Sequence, residues 1–132
     1  MNVTIDRATW ACGYTKGHPE GSRLLDDHGN RCALGFVLQA AQIDDSRYLN
    51  RFFISEPFTN TDPRDIPREI HLLRTGTFHF PNSTDRATLL MRIMSLNDGV
   101  MPAERRETLL TEAFALAEIQ ITFTGEYPET IE

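Results

Sequence analysis

The chain has 132 residues, 40% of them hydrophobic, and a formal net charge of −6 at pH 7. The length suits one domain, the hydrophobic fraction excludes a disordered chain, and no apolar run approaches the about 20 residues that a membrane-spanning helix needs. No basic run is present, so we expect no non-specific binding to nucleic acid.

The N-terminal part combines a short strand with a glycine-rich loop. Asn2–Ile5 alternates polar and apolar residues, which predicts a strand. Residues 8–21 contain three glycines and one proline and are typical of a loop. Residues 22–25 are consistent with a second short strand, and a turn around Gly29 follows.

A buried helix is predicted from Cys32 to Gln42, because this segment is apolar nearly all round. Gly35 inside it costs about 1 kcal/mol relative to alanine, which indicates a close approach by another backbone or a ligand. Cys32 stands at the helix start, where the positive end of the helix dipole favours a thiolate. It is therefore the first candidate for chemistry.

Residues 43–80 are irregular and punctuated by three prolines. We predict a short helix from Arg64 to Leu73 and a strand over Thr77–Phe80. Long irregular segments in compact domains often carry binding residues, so this stretch is a candidate functional excursion.

Two amphipathic helices and a strand are predicted next. The first helix is capped within Asn82–Thr84, runs to Leu96 and ends at Asn97-Asp98-Gly99. Its expected core stripe consists of Ala87, Leu90, Met91 and Met94. The second helix begins at Pro102, and its apolar face consists of Leu109, Leu110, Ala113, Phe114 and Ala117. The alternation in Ile119–Phe123 predicts a half-buried strand.

These elements predict an α+β fold in which three main helices pack on one face of a small, mostly antiparallel sheet. We expect a single domain over residues 1–125 and an acidic C-terminal tail over residues 126–132. Residues 104–132 hold seven acidic and two basic side chains, which is typical of a solvated helix face followed by a soluble tail.

The order of several short motifs resembles a group of small uncharacterised proteins encoded by tailed phages and bacterial genomes. The motifs are Trp10-x-x-Gly13, then Gly29-x-x-Cys32-x-Leu34-Gly35-Phe36, then Asn97-Asp98, and finally Ile121-x-Phe123. The chain departs at Ala33, where the group commonly has a second cysteine. The resemblance implies an accessory role, such as countering host defence. It implies no particular chemical activity, because none is established for the group.

A cysteine hydrolase is one interpretation of the polar residues. Cys32 would be the nucleophile, His79 the base and Asn97 or Asp98 the group that orients the base, in the order that papain-like enzymes use. No flanking signature of such enzymes is present, and the competing interpretation of Cys32 is a buried, inert thiol.

A metal site is another interpretation, because four possible ligands lie within 21 residues, namely Cys12, His18, His28 and Cys32. Zinc accepts two cysteines and two histidines, but the spacing is not that of a zinc finger. We therefore assign no metal and no cofactor.

A pocket for a small anionic, nucleotide-like ligand is another interpretation. Twelve of the thirteen basic side chains are arginines, whose forked donors suit carboxylate and phosphate groups. The candidate groups are Arg7, Lys16, Arg23 and Arg31 for charge, and Trp10 and Tyr14 for stacking. The competing interpretation is a surface of scattered charges with Trp10 in the core.

The expected function is a non-enzymatic accessory protein that binds a host protein or sequesters a small anionic ligand. A small thiol-dependent hydrolase is the alternative. The N-terminus lacks the features of a signal peptide and two cysteines suit free thiols, so we expect a cytoplasmic protein. The sequence leaves the oligomeric state open.

Overall fold

The fold of the described residues is α+β, with four α-helices and two two-stranded sheets. The computed structural model describes residues 1–13, 22–53, 57–60, 62, 64–79 and 86–128. The elements in chain order are β1 (Asn2–Asp6), α1 (Ala33–Ala40), α2 (Arg68–Thr75), β2 (Thr77–His79), β3 (Arg86–Thr88), α3 (Leu89–Asp98), α4 (Ala103–Ala115) and β4 (Gln120–Thr124). A short 3₁₀ helix, Asp45–Arg47, lies between α1 and α2.

The main sheet joins the two ends of the chain. Strands β1 and β4 pair in parallel, with Asn2 opposite Gln120 and Asp6 opposite Thr124. Val3 and Ile5 point inward and are fully buried, and helices α1 and α4 pack against β1 and β4 respectively. The predicted strands at both ends of the chain are confirmed.

Helix α1 is buried along most of its length, as its uniformly apolar sequence predicts. Its residues from Ala33 to Leu38 are all buried. A Cβ atom on Gly35 would lie 1.9 Å from the carbonyl oxygen of Leu24. The expected close approach of another backbone at Gly35 is therefore confirmed, and any side chain there would displace the segment that contains Leu24.

Two helix starts differ from the prediction. Helix α2 begins at Arg68 rather than at Arg64, because Pro67 precedes it and a residue before proline avoids helical geometry. Helix α3 begins at Leu89, where the Thr88 side chain accepts a hydrogen bond from the backbone N–H of Met91. The expected caps at residues 82–84 lie outside the described residues, and residues 86–88 form strand β3 instead of a helical turn.

The later start of α3 changes which residues it buries. Leu90 and Met94 are buried as predicted, whereas Met91 is exposed and Ala87 lies in β3. In helix α4, Leu110, Ala113 and Phe114 are buried, in agreement with the predicted apolar face. None of the helices in the described ranges has the length and apolar character that crossing a membrane requires.

The prediction of a mostly antiparallel sheet with three helices is wrong in both details. Among the described residues only the short pair β2–β3 is antiparallel, with Thr77 opposite Thr88. Strands β1 and β4 lie at opposite ends of the chain, and the connection between them contains all four helices, which allows a parallel crossover. The fourth helix is α2, which the sequence predicts as a short helix but which is not counted among the three main ones.

Candidate functional site

A buried asparagine at the end of α3 organises the centre of the molecule. Asn97 is 0% exposed and occupies the last turn of the helix. Its side-chain oxygen accepts hydrogen bonds from Trp10 Nε1 at 2.8 Å and from the backbone N–H of Ala33 at 2.9 Å. Its Nδ2 donates to the carbonyl oxygen of Ala11 at 2.9 Å and to Asp98 Oδ1 at 3.0 Å. Both donors and both acceptor positions of the amide are therefore used.

These bonds make Asn97 a junction between three segments. Ala33 is the first residue of α1, so Asn97 caps a helix to which it does not belong. Trp10 and Ala11 follow strand β1. The motifs that the sequence places far apart, around Trp10, Cys32 and Asn97, therefore meet at one point.

The C-terminal end of α3 also forms hydrogen bonds with the two residues that flank the segment 14–21, Gly13 and Ser22. On one side, the backbone N–H of Gly13 donates to the carbonyl oxygen of Asn97 at 2.8 Å. On the other side, the backbone N–H of Ser22 donates to Asp98 Oδ2 at 3.3 Å. The candidate ligand-binding residues Tyr14 and Lys16 belong to this segment and lie outside the described residues.

A buried arginine neutralises the carbonyl end of α3. Arg106 on α4 is 6% exposed, and its Nη1 donates to the carbonyl oxygens of Leu96 at 2.6 Å and Asn97 at 2.8 Å. A cation is favoured there because the C-terminal end of a helix carries partial negative charge. Arg106 thereby holds Asn97 in place, and Asn97 in turn binds the indole of Trp10.

Cys32 precedes α1, as predicted, but its chemistry is the opposite of what was expected. The thiol is 0% exposed, and burial raises its pKa to about 12. Backbone donors of Gly35 and Leu34 act in the other direction but are outweighed, and the negative charge of Asp98 raises the pKa further. The expectation that the helix start favours a thiolate is wrong, because desolvation exceeds the effect of the dipole.

The hydrolase interpretation requires Cys32, His79 and Asp98 to act together. Cys32 and Asp98 lie close enough to interact electrostatically. His79 is the last residue of β2, opposite Arg86, and its side chain lies outside what the structure describes. A neutral buried thiol beside a carboxylate that already accepts two hydrogen bonds lacks the activation that a nucleophile needs.

Trp10, predicted to stack on a ligand, stacks within the protein. The residue is buried, its ring centre lies 5.4 Å from that of Phe123 and 6.2 Å from that of Tyr127, and its indole N–H bonds to Asn97. Tyr127 comes from the segment predicted as an acidic tail, of which residues 129–132 lie outside the described residues.

Two of the arginines predicted to bind an anion also have partners within the fold. The buried Arg31 donates to the hydroxyl of Tyr48 at 2.6 Å and to Asp45 Oδ1 at 3.3 Å. Burial, and the hydrogen bond to Asp45, raise the pKa of Tyr48 to about 12. Arg23 donates to Asn50 Oδ1 at 3.1 Å, and its guanidinium carbon lies 6.0 Å from the ring centre of Phe52.

Arg7 forms a two-pronged pair with a carboxylate of α4. Its Nε and Nη2 donate to the two oxygens of Glu107 at 3.0 and 2.7 Å. The hydroxyl of Tyr127 donates to the same carboxylate, and the Arg7 guanidinium lies 5.8 Å from the ring centre of Tyr127. The hydrogen bonds from Arg7 hold the pKa of Glu107 below its ordinary value.

The structure describes three of the four possible zinc ligands. Cys12 and Cys32 are buried free thiols, His28 is exposed, and His18 lies outside the described residues. In the part of the chain that the structure describes, no three His, Cys, Asp or Glu side chains are arranged to hold a metal ion.

Sequence reasoning missed the roles of Asn97 and Arg106. Asn97 was interpreted as a local helix stop, and nothing in its neighbourhood in sequence indicates bonds to residues 64 to 87 positions away. Arg106 did leave a signal, because it continues the apolar stripe of α4 by one turn before Leu110 and is buried with it. A charge on the buried side of a helix indicates a specific partner.

The interactions described above are internal: hydrogen bonds centred on Asn97 and Arg106 at the end of α3, and separate arginine–carboxylate pairs. Such an arrangement fixes segments relative to one another and leaves the named donors occupied. Comparison with known proteins identifies no relative: no protein-family model, no curated protein and no solved structure matches the chain.

Proposed function

We propose that this chain is a non-enzymatic, phage-like accessory protein that acts by binding another protein of the host cell. The observation that carries the proposal is the internal use of the residues suited to chemistry. Cys32 is buried with a raised pKa, Arg7 is paired with Glu107, and Arg31 is paired with Asp45. An action exerted through the surface fits these contacts better than one exerted through a reactive group.

The hairpin formed by α3 and α4 is the surface that we assign to the partner. Met91, Val100 and Leu116 on this unit are 55%, 74% and 59% exposed. Methionine is enriched in protein interfaces, and exposed apolar side chains grouped on one unit of the fold suit an interaction site. The exposed Glu104 and Glu112 on α4 favour a partner with basic side chains around an apolar centre.

The two other expected functions receive less support from the geometry. An anionic ligand held by Arg7 or Arg31 would have to displace the carboxylate of Glu107 or Asp45. A hydrolase would need Cys32 to be exposed and ionised, whereas its thiol is buried and neutral at pH 7. We therefore propose neither as the main function.

The experiment is a quantitative capture from a lysate of the bacterial host with three single variants. Val100→Lys and Leu116→Lys place a charge on the hairpin, and Leu49→Lys changes an exposed apolar residue outside it. We expect both hairpin variants to lose at least tenfold of the captured partner, while Leu49→Lys captures as much as the wild type. Equal capture by all four proteins would contradict the assigned surface.

A catalytic or ligand-sequestering function is tested separately. Stabilisation of the purified protein by ATP or inorganic phosphate at millimolar concentration, lost in an Arg31→Met variant that still folds, would favour the anionic ligand. Ester or peptide hydrolysis abolished by Cys32→Ser would favour the hydrolase. Either result would overturn the proposal of a purely binding protein.

A further inference from the structure

Among the described residues, strand β4 has a partner on one of its two backbone edges and none on the other. In its ladder with β1, Gln120 donates to the carbonyl oxygen of Met1, and Arg7 donates to the carbonyl oxygen of Thr124, each at 2.9 Å. The N–H and C=O groups of one strand residue point to the same side, and successive residues alternate. The backbone N–H and C=O groups of Gln120, Thr122 and Thr124 therefore point towards β1.

The two intervening residues, Ile121 and Phe123, direct their N–H and C=O groups away from β1. Nothing within the described ranges donates to or accepts from these four groups, and β4 has no second neighbour there. A row of unpaired donors and acceptors on an edge strand is a template for another strand.

The side chains at this edge are also incompletely covered. Ile121 and Phe123 lie on the inner face of the sheet but are only half-buried, whereas Val3 and Ile5 on β1 are fully buried. Strand β4 contains neither a charged residue nor a proline, which are the residues that protect natural edge strands from pairing. The edge therefore combines unpaired backbone with exposed apolar surface.

The other edge of the sheet is less open. Beyond β1, the chain turns so that Thr9 donates to the carbonyl oxygen of Asp6, and Trp10 then forms a bridge with Arg31. On β1, the residues whose outward backbone groups have no partner in the described part of the chain are Asn2 and Thr4, and asparagine is a poor strand former. Strand β4 is the better template.

We propose that β4 pairs with β4 of a second copy of this chain. The two strands run antiparallel about a twofold axis at Thr122, so that the two parallel pairs form one four-stranded sheet. In this register Ile121 of one copy lies opposite Phe123 of the other, and the pair exchanges both backbone hydrogen bonds. The symmetry repeats the pair, so four hydrogen bonds form.

A second copy fits because the edge is complementary to itself. The residues with outward backbone groups, Ile121 and Phe123, meet each other and cover each other's half-buried side chains. Thr122 meets Thr122, and threonine pairs across strands are favourable. The pairing gives both copies backbone hydrogen bonds at an open edge and covers apolar side chains in each, so both copies gain from it.

The acidic residues that flank β4 are compatible with this register. It brings Glu118 of one copy towards Glu126 of the other. Glu118 is already paired with Arg68, so the two carboxylates do not face each other as isolated charges. The remaining repulsion predicts that moderate salt strengthens the dimer.

The first test is disulfide cross-linking of Thr122→Cys, with Thr4→Cys as the matched control. Thr4 and Thr122 are register partners, both exposed on the outer face of the sheet. Across the proposed axis the two copies of residue 122 have Cα atoms about 4.5 Å apart, within disulfide range. The two copies of residue 4 are three strand spacings apart, about 14 Å, which is too far.

We expect oxidised glutathione to convert Thr122→Cys to a covalent dimer in proportion to protein concentration, while Thr4→Cys stays monomeric. The native thiols, Cys12 and Cys32, are buried and contribute equally to both samples. Equal cross-linking of the two variants would overturn the proposal, because it would report random collisions.

The second test measures the dissociation constant by sedimentation and fixes the register. Gln120 of one copy lies opposite Thr124 of the other. Gln120→Glu with Thr124→Lys should tighten the dimer about fivefold, and Gln120→Lys with Thr124→Lys should weaken it by a similar factor. A wild-type protein that stays monomeric up to millimolar concentration, or two double variants with the same constant, would overturn the proposal. Neither test depends on the proposed host partner.

Discussion

Trp10 and Asn97 are 87 positions apart in the chain, and the indole N–H of Trp10 donates to the side-chain oxygen of Asn97 at 2.8 Å. Both residues are buried. The bond joins the segment after the first strand to the end of the third helix. Because the same oxygen also caps α1, one amide determines how the N-terminal and C-terminal parts of the fold meet.

Replacing Asn97 by alanine should therefore strongly destabilise the fold. The change leaves the N–H groups of Trp10 and Ala33 and the carbonyl oxygen of Ala11 without partners in a buried site. An unsatisfied buried polar group costs about 1–3 kcal/mol, and the three effects are not fully additive. We expect the free energy of unfolding to fall by about 4 kcal/mol in urea titrations followed by the fluorescence of the single tryptophan.

The control for Asn97→Ala is Ser95→Ala on the exposed side of the same helix, which should change the free energy of unfolding by less than about 0.5 kcal/mol. A similar small effect for Asn97→Ala would mean that water replaces the lost bonds. The junction described above would then not be what holds the segments together.

Arg106 and Arg105 are adjacent on α4 and offer a matched pair. Arg106 is buried and donates to two carbonyl oxygens at the end of α3, whereas Arg105 is exposed. Arg106→Ala should lower the free energy of unfolding by about 3 kcal/mol, because it removes charge-assisted hydrogen bonds and buried packing. Arg105→Ala should leave it nearly unchanged. Thermal unfolding of both variants at one pH compares them, and equal melting temperatures would contradict the capping role.

The elements with a clear hydrophobic period could be predicted from the sequence. Helices α1 and α4 and strands β1 and β4 were expected close to their observed positions, because burial of one face dictates the pattern of each. The start of α3 could not be predicted, since Asn82, Ser83 and Thr88 are all suitable caps. Tertiary pairing of residues 86–88 with β2 selects Thr88.

The candidate site was harder to predict than the fold. Cys32 was correctly placed at a helix start, but its pKa depends on burial by residues that are remote in sequence. Arg7 and Arg31 were recognised as anion-binding side chains, yet the anions are Glu107 and Asp45 of the same chain. A single sequence shows which groups can pair and not which groups do.

The ionisation of Glu107 should make the free energy of unfolding depend on pH in the acid range. Its pKa is lowered in the folded state by the hydrogen bonds from Arg7, so its contribution is fully present above the ordinary pKa of about 4.3. That contribution is lost as pH falls through the lower, folded-state value. Glu107→Gln should therefore be less stable than the wild type at pH 7, with a difference that shrinks below about pH 4.

Urea unfolding at pH 7, 5 and 3.5 measures the effect of Glu107→Gln. Glu112→Gln, an exposed change on the same helix, is the control and should follow the wild type at each pH. A difference between Glu107→Gln and the wild type that stays constant across this range would show that the charge of Glu107 does not matter.

The ionisation of Cys32 should make the free energy of unfolding fall as pH rises in the alkaline range. Its pKa is about 12 in the folded state and about 8.5 in an unfolded chain, so folding favours the neutral thiol. The stability contributed by this preference is complete below about pH 8.5 and is lost as pH rises towards 12, at up to about 1.4 kcal/mol per pH unit.

Cys32→Ala removes this contribution, so the curve of unfolding free energy against pH should be shallower than that of the wild type between pH 9 and 11. Tyrosines titrate in both proteins, and the difference in slope therefore isolates the thiol. Parallel curves, or rapid labelling of Cys32 by a thiol reagent in the native Cys12→Ser variant, would mean that the thiol is accessible and would reopen the hydrolase interpretation.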